Sequence, residues 1–219
     1  IIGGYKAFRN WVLKQFENDY PFLVLGGYTG SGKTALLDQL AQRKQHVVDL
    51  EKLANHKGSA FGSMGEQPMQ EMFENKLATA LYALKDTAAI WLEDESQRIG
   101  KLNIPHPLWD TIRKKPVFFI DIPFEERLAY IESTYGLNDK EKLINAIVRI
   151  QKRLGPLETK TAIGYLLEDN FKACFEILLA YYDKLYKKGL HNRENLETLL
   201  TTIPASTVND ILNTEKLLA

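Results

Sequence analysis

One glycine-rich run, GGYTGSGKT at residues 26–34, constrains the fold more than any other part of the sequence. It follows the apolar residues 22–25 and runs into Lys33–Gln42, whose composition favours a helix. Residues 27–34 match G-x-x-x-x-G-K-[ST] at every fixed position. Glycines let successive backbone N–H groups turn inward around an anion, and a helix N-terminus adds its positive dipole end. The run therefore predicts a phosphate-binding loop between a strand and a helix.

Each polar group of this loop has an expected role. Lys33 is expected to reach terminal phosphate oxygens and to act in catalysis, and the Thr34 hydroxyl is expected to ligate Mg²⁺. The predicted phosphate-binding residues are Gly27, Thr29, Gly30, Ser31, Gly32, Lys33 and Thr34.

The order of predicted elements indicates an α/β fold. Strand-like segments at 22–25, 47–50, 88–92 and 117–122 alternate with helical patterns, which is typical of a parallel sheet with helices on both faces. After residue 122 only helices are predicted. The expected fold class is thus a P-loop NTPase-like parallel sheet flanked by helices, followed by a largely helical C-terminal part. The expected divisions are a tail and linker helix at 1–19, an α/β domain at 20–135 and a helical subdomain at 136–219.

Composition and charge exclude several classes of protein. The longest apolar runs are too short to cross a bilayer, and the single Cys174 excludes an internal disulfide and fits a reducing cytoplasm. Lys and Arg balance Asp and Glu at 28 each, so any polyanion must use a local patch. Residues 140–193 offer one, with eleven basic against six acidic side chains. The chain opens without Met and is expected to continue something upstream.

Acidic side chains follow two of the predicted strands. Ligands of open α/β sheets sit beyond the carboxyl ends of the strands, so these acids are expected near the phosphate loop. Asp94 is the predicted second Mg²⁺ ligand, and Glu95 the base or water-orienting group. Asp49 and Glu51 are candidate proton acceptors. The alternatives are a solvated acidic turn for residues 93–95 and a helix cap with a surface acid for residues 49 and 51.

Further segments carry a family resemblance. DLEKLANHKGSAFG at 49–62, QPMQEMFEN at 67–75 and WLEDESQRIG at 91–100 resemble signatures of the tRNA 2-selenouridine synthases. GGYKAFR at 3–9 resembles the end of the rhodanese domain that precedes the phosphate-loop domain in that family.

The resemblance implies a tRNA-modifying transferase. Such an enzyme replaces the sulfur of wobble 2-thiouridine with selenium from selenophosphate, through an S-geranylated intermediate made from geranyl diphosphate. The rhodanese half, which carries the cysteine associated with selenium transfer, is an expected partner that these residues do not include. Since both small substrates are phosphorylated, the loop is expected to hold substrate phosphates, with Mg²⁺ assisting. Whether ATP or GTP enters the loop stays open.

The resemblance also places polar side chains near the substrate. His56, Lys57 and Ser59 follow the second predicted strand, with an ordinary surface loop as the alternative. Arg98 and Arg127 are further phosphate candidates, with plain solvent exposure as the alternative.

One predicted helix is amphipathic in a way that suits RNA. In Lys140–Leu154, Lys142, Arg149 and Arg153 share one face, and apolar residues share the opposite face. These three, extended by Lys184, Lys187, Lys188 and Arg193, are the predicted tRNA phosphate contacts. A solvated helix face explains the same residues equally well.

Two other functions fit the phosphate loop without the resemblance. A small-molecule kinase with a helical lid is one, because a strand followed by PFEER at 123–127 is typical of kinases. A nucleotide-gated RNA-binding module without catalysis is the other. The products separate them: a phosphorylated acceptor, a modified nucleoside with diphosphate, or no turnover.

Overall fold

The computed structural model describes residues 2–56, 65–135 and 140–219. Its strands are β1 (Phe22–Gly27), β2 (Ile90–Glu93), β3 (Arg98–Ile99), β4 (Leu102–Asn103), β5 (Val117–Asp121) and β6 (Leu200–Pro204). Its helices are α1 (Gly4–Gln15), α2 (Lys33–Gln42), α3 (Leu50–Ala54), α4 (Gln70–Ala83), α5 (His106–Arg113), α6 (Phe124–Tyr135), α7 (Lys140–Leu154), α8 (Pro156–Leu167), α9 (Phe171–His191), α10 (Leu196–Leu199) and α11 (Asp210–Leu218).

The main sheet is parallel, with strand order β2-β1-β5-β6. Strand β1 lies between its neighbours, pairing Val24 with Leu92 of β2 and with Val117 of β5. Its apolar side chains suit this central position, because a parallel strand is covered on both faces. The loop that follows β1 therefore emerges from the middle of the sheet, at the carboxyl ends of its strands. A two-residue antiparallel hairpin, β3–β4, stands apart from the main sheet.

Helices cover both faces of the sheet. On one face, residues of α1, α4 and α5 pack with Val24 and Phe119 into the largest apolar core. On the other, α2 and α11 pack against Leu25 and Ile120. Helices α6 to α9 have a core of their own, centred on Ile147 and Leu178. This helical layer lies beside the loop end of the sheet, where α9 approaches residues 26–28.

No helix in the described ranges combines the length and the apolar character that crossing a membrane would need.

The predicted fold class is confirmed, and most predicted helices lie within a turn of their observed bounds. The strand expected at 47–50 is reduced to a single bridge between Val47 and Trp91. The chain leaves the sheet there because the Asp49 carboxylate accepts the Lys52 N–H at 2.8 Å, which caps α3. Pro107 lies in the first turn of α5, where proline is tolerated.

The expectation that strands stop after residue 122 was wrong. Strand β6 pairs in parallel with β5, from Val117 opposite Leu200 to Asp121 opposite Pro204. It is an edge strand whose side chains are exposed or half-buried, so it lacks the apolar run that marked the inner strands. Helix α11 then packs on α2, so the last part of the chain returns to the sheet.

Candidate phosphate-binding site

Two glycines give the loop after β1 its shape. Gly30 has φ 83° and Gly32 has φ 74°, both in the left-handed region that side chains rarely adopt. A Cβ atom at Gly30 would also lie only 2.8 Å from the Cδ1 atom of Ile131. Gly32 is the residue from which α2 begins, at Lys33. The loop therefore turns its backbone around the N-terminus of a ten-residue helix, as anion binding requires.

The polar side chains of the loop are held by the loop itself. The Lys33 ammonium donates to the Gly27 carbonyl at 3.0 Å, which places its charge across the loop. Ser31 is 1% exposed and donates its hydroxyl to the Tyr28 carbonyl at 2.7 Å. Of the predicted phosphate-binding residues, Thr29, Gly30, Gly32, Lys33 and Thr34 line a cleft, whereas Gly27 and Ser31 do not.

Three carboxylates meet beside Thr34. Glu51 of α3, Glu93 at the end of β2 and Glu95 each offer an oxygen within 4.8 Å of the other two. The Thr34 hydroxyl lies 3.4 Å from Glu51 Oε2 and also hydrogen-bonds Glu93. Glu93 is 2% exposed, and its Oε1 atom has no hydrogen-bond partner among the described residues.

This crowding changes the proton affinity of the acids. Burial, and after it the charge of the Glu51 carboxylate, raise the pKa of Glu93 to about 8, and Lys33 opposes the rise. Burial, with the charges of Glu51 and Glu93, also holds the pKa of Glu95 well above its usual range. The cluster therefore retains protons near neutral pH unless a cation neutralises it.

The donor set fits Mg²⁺. Hard divalent cations prefer carboxylate and hydroxyl oxygens, and the cluster supplies three carboxylates next to the Thr34 hydroxyl. A buried carboxylate oxygen without a hydrogen bond, such as Glu93 Oε1, is costly unless an ion or water contacts it. A cation here would lie beside Lys33 and the helix N-terminus, where phosphate oxygens would complete its coordination.

Asp94, the expected second Mg²⁺ ligand, points elsewhere. Its Oδ1 atom pairs with the Arg193 guanidinium, and its Oδ2 atom accepts the Tyr186 hydroxyl at 2.8 Å. The Asp94 and Arg193 side chains are 6% and 0% exposed. The structure thus gives Asp94 a buried ion pair, and Glu93 occupies the position expected of Asp94. Asp49 caps α3 and does not line the cleft, although burial raises its pKa.

The cleft that opens from the loop has a volume of ≈ 1800 Å³. Such a volume exceeds the usual range for a small-molecule site, so the cleft has room for more than a phosphate group. We call the loop at 27–34 with the three glutamates the phosphate end of the cleft. The side that faces it is formed by apolar and aromatic groups of α6, α7 and α9, which we call the cleft wall: Ile131, Ile150, Leu178, Leu179, Tyr182 and Leu185.

The predicted substrate residues divide between the cleft and the interior. His56 and Arg98 line the cleft, and Arg98 Nε donates to the Gly100 carbonyl at 3.0 Å. Lys57 and Ser59 lie outside the described residues. Arg127 differs from expectation: it is 3% exposed, forms two hydrogen bonds with Asp183, and does not line the cleft. Its charge is neutralised inside the protein.

The predicted tRNA contacts divide in the same way. Arg149 and Arg153 are exposed on α7 and line the cleft, while Lys142 is exposed on the same helix away from it. Lys184, Lys187 and Lys188 of α9 are exposed. Arg193 is 5% exposed and paired with Asp94, so its place in the expected footprint is corrected.

Sequence reasoning missed Glu93, and the available signal for it is its position at the end of the strand beside the phosphate loop. Strand β2 ends at Glu93, so the alternation of side chains along a strand does not extend to Asp94 and Glu95. The contacts of Tyr186 and Asp183 with the loop region had no such signal, because they depend on how a distant helix packs.

Comparisons with known proteins show which family this chain resembles. A family model described as the tRNA 2-selenouridine synthase AAA domain matches residues 20–217. A tRNA 2-selenouridine synthase of Marinobacter nauticus is 34% identical, with the match covering 89% of this chain and 61% of that protein. One of Sulfurovum sp. is 35% identical over 85% of this chain and 59% of its own length. A tRNA 2-selenouridine synthase of Serratia proteamaculans is 44% identical, with the match covering 62% of this chain and 37% of that protein.

The chain thus spans less than two thirds of the length of these relatives. The family match nevertheless begins just before β1 and extends into α11, so it includes the phosphate loop, all three glutamates and the cleft wall. This chain belongs to the tRNA 2-selenouridine synthase family, with residues 20–217 as its AAA domain.

Proposed function

We propose that this chain is the phosphate-binding domain of a transferase that converts wobble 2-thiouridine of tRNA to 2-selenouridine through S-geranyl-2-thiouridine. In this proposal the phosphate end holds the diphosphate of geranyl diphosphate. The observation that carries it is the pairing of a phosphate loop with an apolar wall in one cleft. A nucleotide would stack its base on apolar groups and would also need polar partners for the base and ribose, whereas the chain of an isoprenoid diphosphate needs apolar surface alone.

The residues of the phosphate end would act on the leaving group. The thiocarbonyl sulfur attacks C1 of the geranyl group, the C1–O bond breaks, and the electron pair leaves with the diphosphate. Lys33 and the loop N–H groups are preorganised around the place where that negative charge develops. Mg²⁺ held by Thr34, Glu51 and Glu93 would neutralise part of the same charge. The sulfur is already nucleophilic and needs no base to attack, so Glu95 has little base chemistry to perform; the S-alkylated nucleobase then loses its N3 proton to solvent.

The cleft wall would take the apolar part of the substrate. Leu185 is 38% exposed, so a bound alkyl chain would cover apolar surface of this side chain that now meets water. Leu178, Leu179 and Ile150 are already buried and would support the wall from behind. Each buried CH₂ contributes roughly 0.8 kcal/mol, enough for the chain to add to the affinity of the diphosphate alone.

The tRNA would approach from the α7 side. Arg149 and Arg153 stand at the cleft on that side, and exposed lysines of α9 extend the basic surface. A tRNA substrate places the reaction in the cytoplasm. Selenium transfer would need the cysteine of the rhodanese domain. Cys174 cannot replace it, since it is buried and burial raises the pKa of its thiol to about 12.

Calorimetric titration with geranyl diphosphate and, separately, with ATP–Mg²⁺ tests the proposal. We expect the tighter binding for geranyl diphosphate, with a loss of about tenfold to a hundredfold in Lys33→Ala. Lys14→Ala, which removes an exposed lysine of α1, is the matched control and should bind normally. Preferential, Lys33-dependent binding of ATP would overturn the substrate-diphosphate role and favour a kinase-like function.

A further inference from the structure

Helix α9 contacts the phosphate loop at two points. The Gly27 N–H donates to the Tyr186 hydroxyl at 3.2 Å. The Thr29 carbonyl accepts from Arg127 at 2.9 Å, and Asp183 holds that guanidinium through bonds of 2.9 and 2.7 Å. Asp183 and Tyr186 are three residues apart, so they share one face of α9. One helix thus reaches the loop directly at one position and through an arginine at another.

Both connections are partly buried, and their polar groups are engaged in hydrogen bonds. The Tyr186 hydroxyl, having accepted from Gly27, donates to Asp94 at 2.8 Å, and Asp94 is held by Arg193. Arg127 is 3% exposed and also donates to the Ile122 carbonyl at 3.0 Å. Because a buried polar group without its partner is costly, these bonds restrict the conformations that the loop can adopt.

Aromatic packing holds the loop in the same place. The Tyr28 ring lies 4.9 Å from the Arg127 guanidinium and 5.7 Å, nearly edge-on, from the Tyr186 ring. A Cβ atom at Gly26 would lie 2.9 Å from the Tyr186 hydroxyl, so this tyrosine fills the space beside the end of β1. The loop is therefore packed between residues contributed by α6 and α9.

We propose that Tyr186 and Asp183 are positioning residues, which hold the phosphate loop from α9 in the conformation that receives phosphate groups. Neither touches the phosphate in this scheme; Tyr186 acts through the Gly27 backbone, and Asp183 acts through Arg127. The inference rests on the proposed function only in that the loop binds phosphates. It extends that function by making phosphate affinity depend on the helix that also forms much of the cleft wall.

Two tyrosine variants of the same helix give a matched test. Tyr186→Phe removes the hydroxyl that bonds Gly27, whereas Tyr181→Phe removes a buried hydroxyl that has no hydrogen-bond partner in the described part of the chain. We would measure amide hydrogen exchange of the loop, the melting temperature, and binding of inorganic pyrophosphate by calorimetry. Tyr186→Phe should speed exchange at Gly27 and raise the pyrophosphate Kd about tenfold. Tyr181→Phe should change neither.

The outcomes are distinct. Equal loop exchange and equal pyrophosphate Kd in the two tyrosine variants would overturn the proposal. If Tyr186→Phe fails to fold, Asp183→Asn replaces it and should speed exchange at Thr29 and Gly30, and unchanged exchange there would overturn the proposal. If the wild-type chain binds no pyrophosphate, the proposed function fails, while the exchange comparison still decides whether Tyr186 positions the loop.

Discussion

The phosphate end and the cleft wall face each other across one cleft, yet different forces shape them. At the phosphate end, nearly every polar group is tied to another: Lys33 to Gly27, Ser31 to Tyr28, Thr34 to Glu51. The wall is built from packed apolar side chains of three helices, with Arg149 and Arg153 beside it. One side recognises charge at fixed positions, and the other recognises apolar surface of a certain shape.

The difference teaches how the two sides depend on each other. A phosphate end made of hydrogen bonds needs exact positions, and α9 supplies part of that order through Tyr186 and Asp183. The wall tolerates small shifts, because apolar contacts are not directional. Variants that break hydrogen bonds between the two sides should therefore lower stability or ligand affinity more than variants of the cleft wall itself.

The largest effect on stability is expected at Asp94, which hydrogen-bonds Tyr186 of α9 and so helps connect this helix to the phosphate loop. Asp94→Ala should lower the free energy of unfolding by about 3–5 kcal/mol, because it leaves the Arg193 charge buried without its partner. Urea unfolding measures this. Asp19→Asn, which breaks the exposed pair with Lys115, is the control and should cost less than about 1 kcal/mol. Normal stability together with lost Mn²⁺ binding in Asp94→Ala would instead make Asp94 the metal ligand.

The second effect comes from the glutamates and depends on pH. Glu93 has a pKa of about 8 in the folded chain and near 4.5 when unfolded. Between those values the folded state binds more protons, so stability should fall as pH rises and level off above about pH 8.

Urea unfolding at about pH 5 and about pH 8.5, with EDTA present, checks this dependence. In the wild type the free energy of unfolding should decline by on the order of 2 kcal/mol between these pH values, and Glu93→Gln should remove this decline. The decline is smaller than the full pKa shift of Glu93 implies, because Glu51 and Glu95 share the charge. Glu66→Gln, an exposed acid that also lines the cleft, is the control and should leave the decline intact. An equal decline in wild type and Glu93→Gln would contradict the assignment.

How much of this arrangement the sequence predicts also differs between the two sides. The phosphate loop is local: its glycines, Lys33 and Thr34 are contiguous, so one motif predicts their geometry. The strand before it and the helix after it were predicted for the same reason. Glu93 also has a local signal, because it ends β2, the strand that pairs with β1.

The contacts between elements that are distant in sequence could not be predicted in this way. Tyr186 reaches Gly27 across 159 residues of sequence, and Arg127 was predicted as a phosphate contact because nothing local marks Asp183 as its partner. Strand β6 is half-exposed and contains two polar threonines, so its own sequence does not mark it as a strand. Its pairing depends on the free edge that β5 offers. Long-range packing decides these features, and sequence periodicity does not record it.

The basic side chains of α7 should produce a smaller, salt-dependent effect. With Arg149 and Arg153 both changed to Gln, log K for tRNA binding should depend less steeply on log salt concentration. The slope should fall in magnitude by about 1 to 2, which is one unit or less for each lost phosphate contact. Fluorescence anisotropy with a 2-thiouridine tRNA, titrated at several salt concentrations, measures the slope. Lys152→Gln removes an exposed lysine of the same helix that does not line the cleft, and should change the slope less. Equal slopes for the two variants would remove the cleft side of α7 from the tRNA interface.

The smallest effect on ligand binding is expected from a variant of the cleft wall, and it distinguishes the role of the wall from that of the phosphate end most clearly. Leu185→Gln places a polar group where an isoprenoid chain would lie, at a residue that is 38% exposed and therefore free to accept it without unfolding. Binding of geranyl diphosphate should weaken about fivefold, since part of one leucine's apolar contact is lost. Inorganic pyrophosphate, which has no chain, should bind as before. Leu157→Gln, 71% exposed on α8 and outside the cleft, should leave both affinities unchanged. If Leu185→Gln weakened both ligands equally, the wall would act on the phosphate end through α9, and the two sides would function as one.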